Sequence, residues 1–260
     1  MIRPVPRRSR SSWIGVLVVL AAVCLCPAFV EAQAAPTLDH FRCYAELQGP
    51  SVVEPVSLKD QFTLPGALQD ALVYRPVRFC NPVEKTTPDG VVTPIQDVNA
   101  HLQLFLIAPS VIEPTRSVTF KNQFGRRRLL TFNPVVLAVP TAKNTQPFPD
   151  NLDHFLCYQA RGGNVSVVVN LRDQFQSGPA TVLRPFLFCN PVAKLHRDVQ
   201  VPIKNPDSHL VCYRTMVTEF AGQALVRNQF ISGTDGFPIT VGSGDILCVP
   251  TQKLRFTAVP

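Results

Sequence analysis

The chain has 260 residues, a formal net charge of +7, twenty-five prolines and one tryptophan. Proline at that density, with no long segment of 3.6-residue apolar periodicity, excludes a helical bundle. The basic excess permits an acidic partner but is too small to argue for one.

Residues 1–34 read as an export signal. Arg3, Arg7, Arg8 and Arg10 precede an apolar run from Trp13 to Cys26, and Ala32, Gln33 and Ala34 form an A-x-A cleavage site. The run is about 14 residues, short of the roughly 20 a spanning helix needs, so cleavage is expected rather than retention as an anchor. Cys24 and Cys26 lack the small residue before them that a lipid-modified cysteine wants. The Arg7, Arg8 doublet raises twin-arginine export, but the following residues do not complete that pattern, which leaves the general secretory route. Removal of the signal takes away the tryptophan, four arginines and one glutamate, leaving +4. No later stretch reaches membrane-spanning length. The product is expected to be secreted, periplasmic or envelope-associated, where paired cysteines are stable.

The remainder is a fourfold repeat of about 50 residues per unit. The copies begin at Asp39-His40-Phe41, Ala100-His101-Leu102, Asp153-His154-Phe155 and Ser208-His209-Leu210. Each runs through a short extended stretch to Gln61-Phe62, Gln123-Phe124, Gln174-Phe175 or Gln229-Phe230, and each closes on Pro82 and Lys85, Pro140 and Lys143, Pro191 and Lys194, or Pro250 and Lys253. The local signal is strand: Val165, Val167, Val169 and Leu171 alternate with Ser166 and Asn170, and the same register makes Val56, Leu58, Val118, Phe120, Ala224 and Val226 inward positions. About three strands per copy are predicted. Copies one and three share Asp-Gln-Phe and Phe-Cys-Asn-Pro-Val, whereas copies two and four share Asn-Gln-Phe and Leu-x-Val-Pro-Thr. This alternation predicts an all-β chain of two β-sandwich or barrel-like domains. The first is 36–143, the second is 152–260, and the proline-containing segment 144–151 is the linker between them.

Six cysteines occupy two fixed positions of the repeat, and the copy that lacks the first also lacks the second. This joint absence predicts the pairs Cys43–Cys80, Cys157–Cys189 and Cys212–Cys248, with Leu104 and Ala138 at the matching places of copy two. Each bridge closes a loop of roughly 35 residues, for which chain entropy gives about 4 kcal/mol. Leu104 and Ala138 supply about the volume of a cystine in apolar groups, so packing replaces the bond there. Separations this long, with no C-x-x-C, argue against a metal site.

Four of the five histidines hold one equivalent position: His40, His101, His154 and His209. Convergent histidines would bind a transition metal, but recurrence in every copy favours a local bond, for example to the preceding Asp39 or Asp153. Gln61, Gln123, Gln174 and Gln229 similarly read as amides satisfying backbone groups where a strand turns. The closing lysines either pair with a carboxylate or a strand-end carbonyl, or stand in solvent. Arg126, Arg127 and Arg128 follow Gly125 in an expected hairpin turn and could meet anionic surface polymers. No aromatic interleaving supports base stacking, so nucleic acid is not expected. Asn164-Val165-Ser166 fits a glycosylation sequon. Neither G-x-S-x-G, H-E-x-x-H nor a phosphate loop is present, and no cysteine is left free, so no catalytic residue or cofactor is assigned. A hydrolase built on an unrecognised carboxylate pair is the catalytic alternative.

The linked motifs H-[FL]-x-C-Y, [DN]-Q-F and [FL]-C-x-P-x-x-K, at His40 to Lys85, His154 to Lys194 and His209 to Lys253, resemble an uncharacterised family of disulfide-containing repeat domains in secreted bacterial proteins. The likeness spans nearly the whole mature chain and departs from the pattern at Leu104 and Ala138. It implies an extracytoplasmic location and a repeat architecture without an assigned activity. The expected function is a non-catalytic binding or structural module for an unknown protein or surface polymer.

Overall fold

Every copy folds as two long strands with a short arm between them. The structure, a computed structural model, describes residues 38–259 apart from 232 and 234; the export-signal reading of residues 1–34 lies outside the described residues. Copy one supplies β1 (His40–Gln48), β2 (Glu54–Lys59) and β3 (Gln69–Thr86), with a two-residue β4 (Val92–Thr93). Copy two supplies β5 (His101–Pro109), β6 (Arg116–Asn122) and β7 (Gly125–Lys143). Copy three supplies β8 (His154–Gly162), β9 (Val167–Arg172), β10 (Ser177–His196) and β11 (Val199–Val201). Copy four supplies β12 (His209–Thr218), β13 (Gly222–Arg227) and β14 (Phe237–Ala258). The described residues contain no helix.

The eight long strands pair antiparallel in the order β1, β3, β5, β7, β8, β10, β12, β14, and β14 pairs back onto β1. They therefore close into an eight-stranded barrel, which leaves none of these strands with an open edge. Four of the six remaining strands, β2, β6, β9 and β13, lie outside this ring as arms. Each arm pairs first with the opening half of its own long strand: β2 on β3, β6 on β7, β9 on β10 and β13 on β14. It then reaches the far end of the long strand two copies away: β2 on β10, β9 on β3, β6 on β14 and β13 on β7.

A long strand can serve both partners because it kinks between them. The register shifts at Pro76, Pro134 and Pro185, and at Gly244 in the corresponding place of copy four. Proline and glycine are the residues a sheet tolerates at a bulge, where a ladder bond is already lost. A Cβ on Gly244 would lie 3.0 Å from Arg42 Nε and 3.1 Å from Tyr44 Cε1, so a side chain at that crossing would press on both.

Two cores result. Inside the barrel, Phe41, Leu102, Phe155 and Leu210 face the four inward prolines across the strand pairs, with the cysteine level next to them. Outside, under the arms, lie Tyr44, Val56, Leu58, Phe79, Val118, Phe120, Tyr158, Val169, Leu171, Phe188, Tyr213, Ala224 and Val226. The inward positions read from alternation are thus the undersides of the arms.

The all-β class and the fourfold repeat stand, but the division into two domains does not. Residues Ala35–Pro260 form one compact unit, and β7 continues into β8 as neighbouring barrel strands across 144–151. The alternation of copies has a different cause: arms exchange between copies one and three and between copies two and four, so each exchanging pair shares a contact chemistry.

Candidate functional site

The contact chemistry starts at the Asx-Gln-Phe turn after each arm. The first residue folds the chain back by accepting the Phe amide: Asp60 from Phe62 at 2.8 Å, Asn122 from Phe124 at 2.9 Å, Asp173 from Phe175 at 2.6 Å and Asn228 from Phe230 at 3.0 Å. Its outer atom then meets the copy two along. Tyr44 donates to Asp173 at 2.6 Å, and Tyr158 and Asn190 donate to Asp60 at 3.0 and 2.9 Å. Where the turn residue is Asn, the direction reverses: Asn122 donates to Tyr213 and Thr251, and Asn228 to Gln103 and Thr141. Asp therefore occurs opposite Asn-Pro-Val and Asn opposite Val-Pro-Thr. The turn phenylalanine packs edge-on against the same partner strand, Phe62 on Tyr158, Phe124 on Tyr213, Phe175 on Tyr44 and Phe230 on Phe105, with centroids 5.0 to 5.3 Å apart.

The repeated histidine, lysine and glutamine meet at the four junctions between successive copies. His40 Nε2 lies 2.8 Å from Gln123 Oε1, and Lys143 of copy two donates to Gln174 of copy three and, at 3.2 Å, to Asn81. At the next junction Lys194 donates to Gln229, and at the last Gln61 donates to the Pro206 carbonyl at 2.7 Å while Lys253 donates to Asn190 at 3.2 Å. The ammonium groups also stand over the turn rings, Lys143 on Phe175 at 4.5 Å, Lys253 on Phe62 at 5.1 Å and Lys194 on Phe230 at 5.6 Å. His101 departs in part, since its Nε2 lies 3.0 Å from Gln146.

Burial drives all four imidazoles towards the neutral form, with the neighbouring lysine adding to it. His40 and His101 fall to about 4, and His154 and His209 to about 3. Burial likewise lowers Lys143, Lys194 and Lys253 to about 8 and pulls Lys85 below its ordinary value. The expected bond from histidine to the preceding aspartate is not formed. Asp39 instead accepts the Gln96 and Asp97 amides, and Asp153 the Lys204 and Asn205 amides, which pins the connectors. Nor are the closing lysines solvated tips: the turn ring of the next copy lies against Lys143, Lys194 and Lys253, and Lys85 is 1% exposed.

The cysteine level crosses the barrel interior. Cys43 bonds Cys80, Cys157 bonds Cys189 and Cys212 bonds Cys248, the residues that the repeat sets opposite one another. Leu104 stands opposite Ala138 in the same register, 3% and 2% exposed, where the fourth bridge would be. The Arg126–Arg128 run does not form one patch. It lies on β7, where alternation leaves Arg126 and Arg128 exposed while Arg127 turns back to donate to the Phe124 and Asn164 carbonyls.

Beyond the cysteine level the barrel opens into a cavity of about 600 Å³. Its floor is Leu104, Val136, Leu187 and Ile246, and four arginines line it: Arg78, Arg161, Arg184 and Arg214. No carboxylate belongs to the lining. Asp245, just behind, takes Arg78 in a two-pronged bond at 3.1 and 2.9 Å and Arg214 at 2.9 Å. Arg214 also lies over Phe186 at 4.0 Å and Arg161 near Phe132 at 6.0 Å. Sequence reasoning passed over Arg78 and Arg214 because they do not recur. Arg78 is two residues before Cys80, where the other copies carry Val136, Leu187 and Ile246, and Arg214 is two after Cys212, where they carry Ala45, Leu106 and Gln159. A charge at an inward position that is otherwise mostly apolar was the available signal. A second groove, outside the barrel, contains Asp70 and Asp198; both are exposed, and Ser57 donates to Asp70 at 2.6 Å.

The fold and its junctions define a class: a closed, disulfide-containing β-repeat ring whose recurrent polar residues hold copy to copy. The profile of a family described as a repeat of unknown function (DUF7450) matches residues 101–250, more than half of the chain, and the chain belongs to that family. No curated protein and no solved structure was found to match it.

Proposed function

We propose that the chain is a secreted or envelope-associated, non-catalytic module that binds a protein or surface polymer or serves a structural role. The observation that carries this reading is the employment of the recurrent side chains. Histidine, glutamine, lysine and the Asx residue of the turn are engaged in holding one copy to another, and the lining of the barrel cavity carries arginines without a carboxylate, histidine or cysteine to form an acid–base pair. Three interior disulfides suit an oxidising compartment, and no helix among the described residues is long and apolar enough to cross a membrane. The test is to express the full chain in a bacterial host, fractionate the cells and map the peptides without reduction. Processed protein outside the cytoplasm with all three bridges is expected; unprocessed, reduced protein in the cytoplasm would overturn the reading.

Attraction of anionic polymers by the arginine turn is a second reading, favoured by the exposure of Arg126 and Arg128. Salt-sensitive retention on a polyanion, lost in R126A/R128A, is its test, and salt-insensitive or absent retention counts against it. The hydrolase alternative rests on Asp70 and Asp198 in the outer groove; turnover lost in D70N/D198N would support it, and turnover that survives the double substitution would remove it from that groove.

A further inference from the structure

We infer that the arginine-lined mouth of the barrel is a binding site for a small organic anion with an apolar body, an aliphatic carboxylate being the chemistry it fits best. The inference rests on the reading of the chain as a binding module and names the ligand class of one site in it.

Three features of the cavity support it. The volume of about 600 Å³ lies within the range in which proteins enclose small ligands. The floor is apolar throughout, being the barrel core cut open above the cysteine level, so it offers nothing to a sugar or to a bare inorganic ion. The walls carry four guanidinium groups and no carboxylate, and Asp245 engages only two of them. Arg161 and Arg184 have no ion pair among the described residues. A guanidinium presents parallel N–H donors that match the two oxygens of a carboxylate, and each bond is stronger where an apolar floor excludes water.

The two halves of the site are also held differently. Arg78 and Arg214 are half-buried and fixed by Asp245, and Arg214 rests on Phe186, so they form a rigid inner rim. Arg161 and Arg184 are exposed at the ends of β8 and the bend of β10, where they can close over a headgroup. Gly162 lies between them in the lining; a Cβ there would come within 2.9 Å of Pro185 Cγ, so the strand end passes close to the bend that carries Arg184.

The test uses the oxidised full chain, calorimetric titration and four probes: decanoate, decan-1-ol, acetate and inorganic phosphate. Decanoate is expected to bind one per chain, at least tenfold more tightly than decanol, with acetate and phosphate weaker still. In R161A/R184A, whose replaced side chains are exposed and whose thermal midpoint should not move, decanoate affinity is expected to fall at least tenfold. Leu106→Glu, which sets a carboxylate on the cavity wall, should abolish binding. Equal binding of decanoate and decanol, undiminished binding in R161A/R184A, or phosphate binding as tightly as decanoate would each overturn the inference. No binding of decanoate to correctly bridged protein would overturn it too, while leaving the module reading in place. Reduced, cytoplasmic protein would instead sink the module reading.

Discussion

Acidification should open the ring at its four junctions. All four junction histidines are 8% exposed or less, and their values fall from 6.5 to about 4 for His40 and His101 and about 3 for His154 and His209. A histidine depressed in the folded state contributes stability that is fully present above 6.5 and is lost as the pH falls towards the folded value, because the unfolded chain binds the proton first. At pH 5 the loss is about 2 kcal/mol for each histidine and about 8 kcal/mol for the four. Glu46 works in the opposite sense. Burial raises it to about 7, so its unfavourable ionisation is relieved as the pH falls, returning about 3 kcal/mol. The net loss at pH 5 is about 5 kcal/mol, comparable with the roughly 5 to 15 kcal/mol that holds a domain folded, and it grows further by pH 4. Circular dichroism should therefore show cooperative unfolding between about pH 5 and pH 4. The imidazole Cε1 protons followed by NMR should not titrate before that transition, and His209→Gln should shift it to lower pH. Four imidazoles titrating near 6.5 in an intact fold, or native spectra at pH 3.5, would refute the account.

The remaining expectations concern single sites. Leu104→Cys with Ala138→Cys should form the fourth bridge spontaneously, since the two positions face each other in register; thiol counting reads the bond, and a denaturant midpoint should rise by the equivalent of at most about 4 kcal/mol. Asp60→Ala removes the acceptor of the Phe62 amide, the Tyr158 hydroxyl and the Asn190 amide at a buried turn, and should cost about 3 kcal/mol or more in urea unfolding, against a smaller loss for Asp60→Asn. Glu46→Gln should raise the stability read from urea unfolding above pH 8 by about 3 kcal/mol and by much less below pH 5, because burial disfavours only the ionised carboxylate, which the bonds from Gln103 offset in part.

Local pattern carried the strands and the sulfur partners, because both are set by residues of one copy. Alternation at Val56, Leu58, Val118 and Phe120 reports which side of a strand is covered, and it does so whichever element provides the cover. The order of the copies around the ring was not legible for that same reason. Tandem pairing of one with two and mutual exchange between one and three leave the same alternation of Asp-Gln-Phe with Asn-Gln-Phe. Only contacts between copies far apart in sequence separate them, such as Asp60 with Tyr158 and Asp173 with Tyr44, 98 and 129 residues apart. The histidines, glutamines and lysines were visible as framework residues, yet their partners were not, since each junction joins the start and end of one copy to the turn of the next. The mouth arginines were hidden by the opposite circumstance: a search for what recurs passes over Arg78 and Arg214.

That β14 zips onto β1 has a consequence for how such a protein can change. In an open stack of repeats, units are added or lost at the ends with little penalty to the remainder. In a closed circle every copy is both flanked and strapped, so deleting one would strand another without its opposite number and bare two ladders of unsatisfied amides. Change is then confined to substitution within copies, and Leu104 opposite Ala138, where the other copies carry a bridge, shows that the ring tolerates it. The circle also lacks an intrinsic starting point: a permuted chain beginning at Asn151, with the present extremities joined by a flexible tether, would preserve every neighbour relation among the strands.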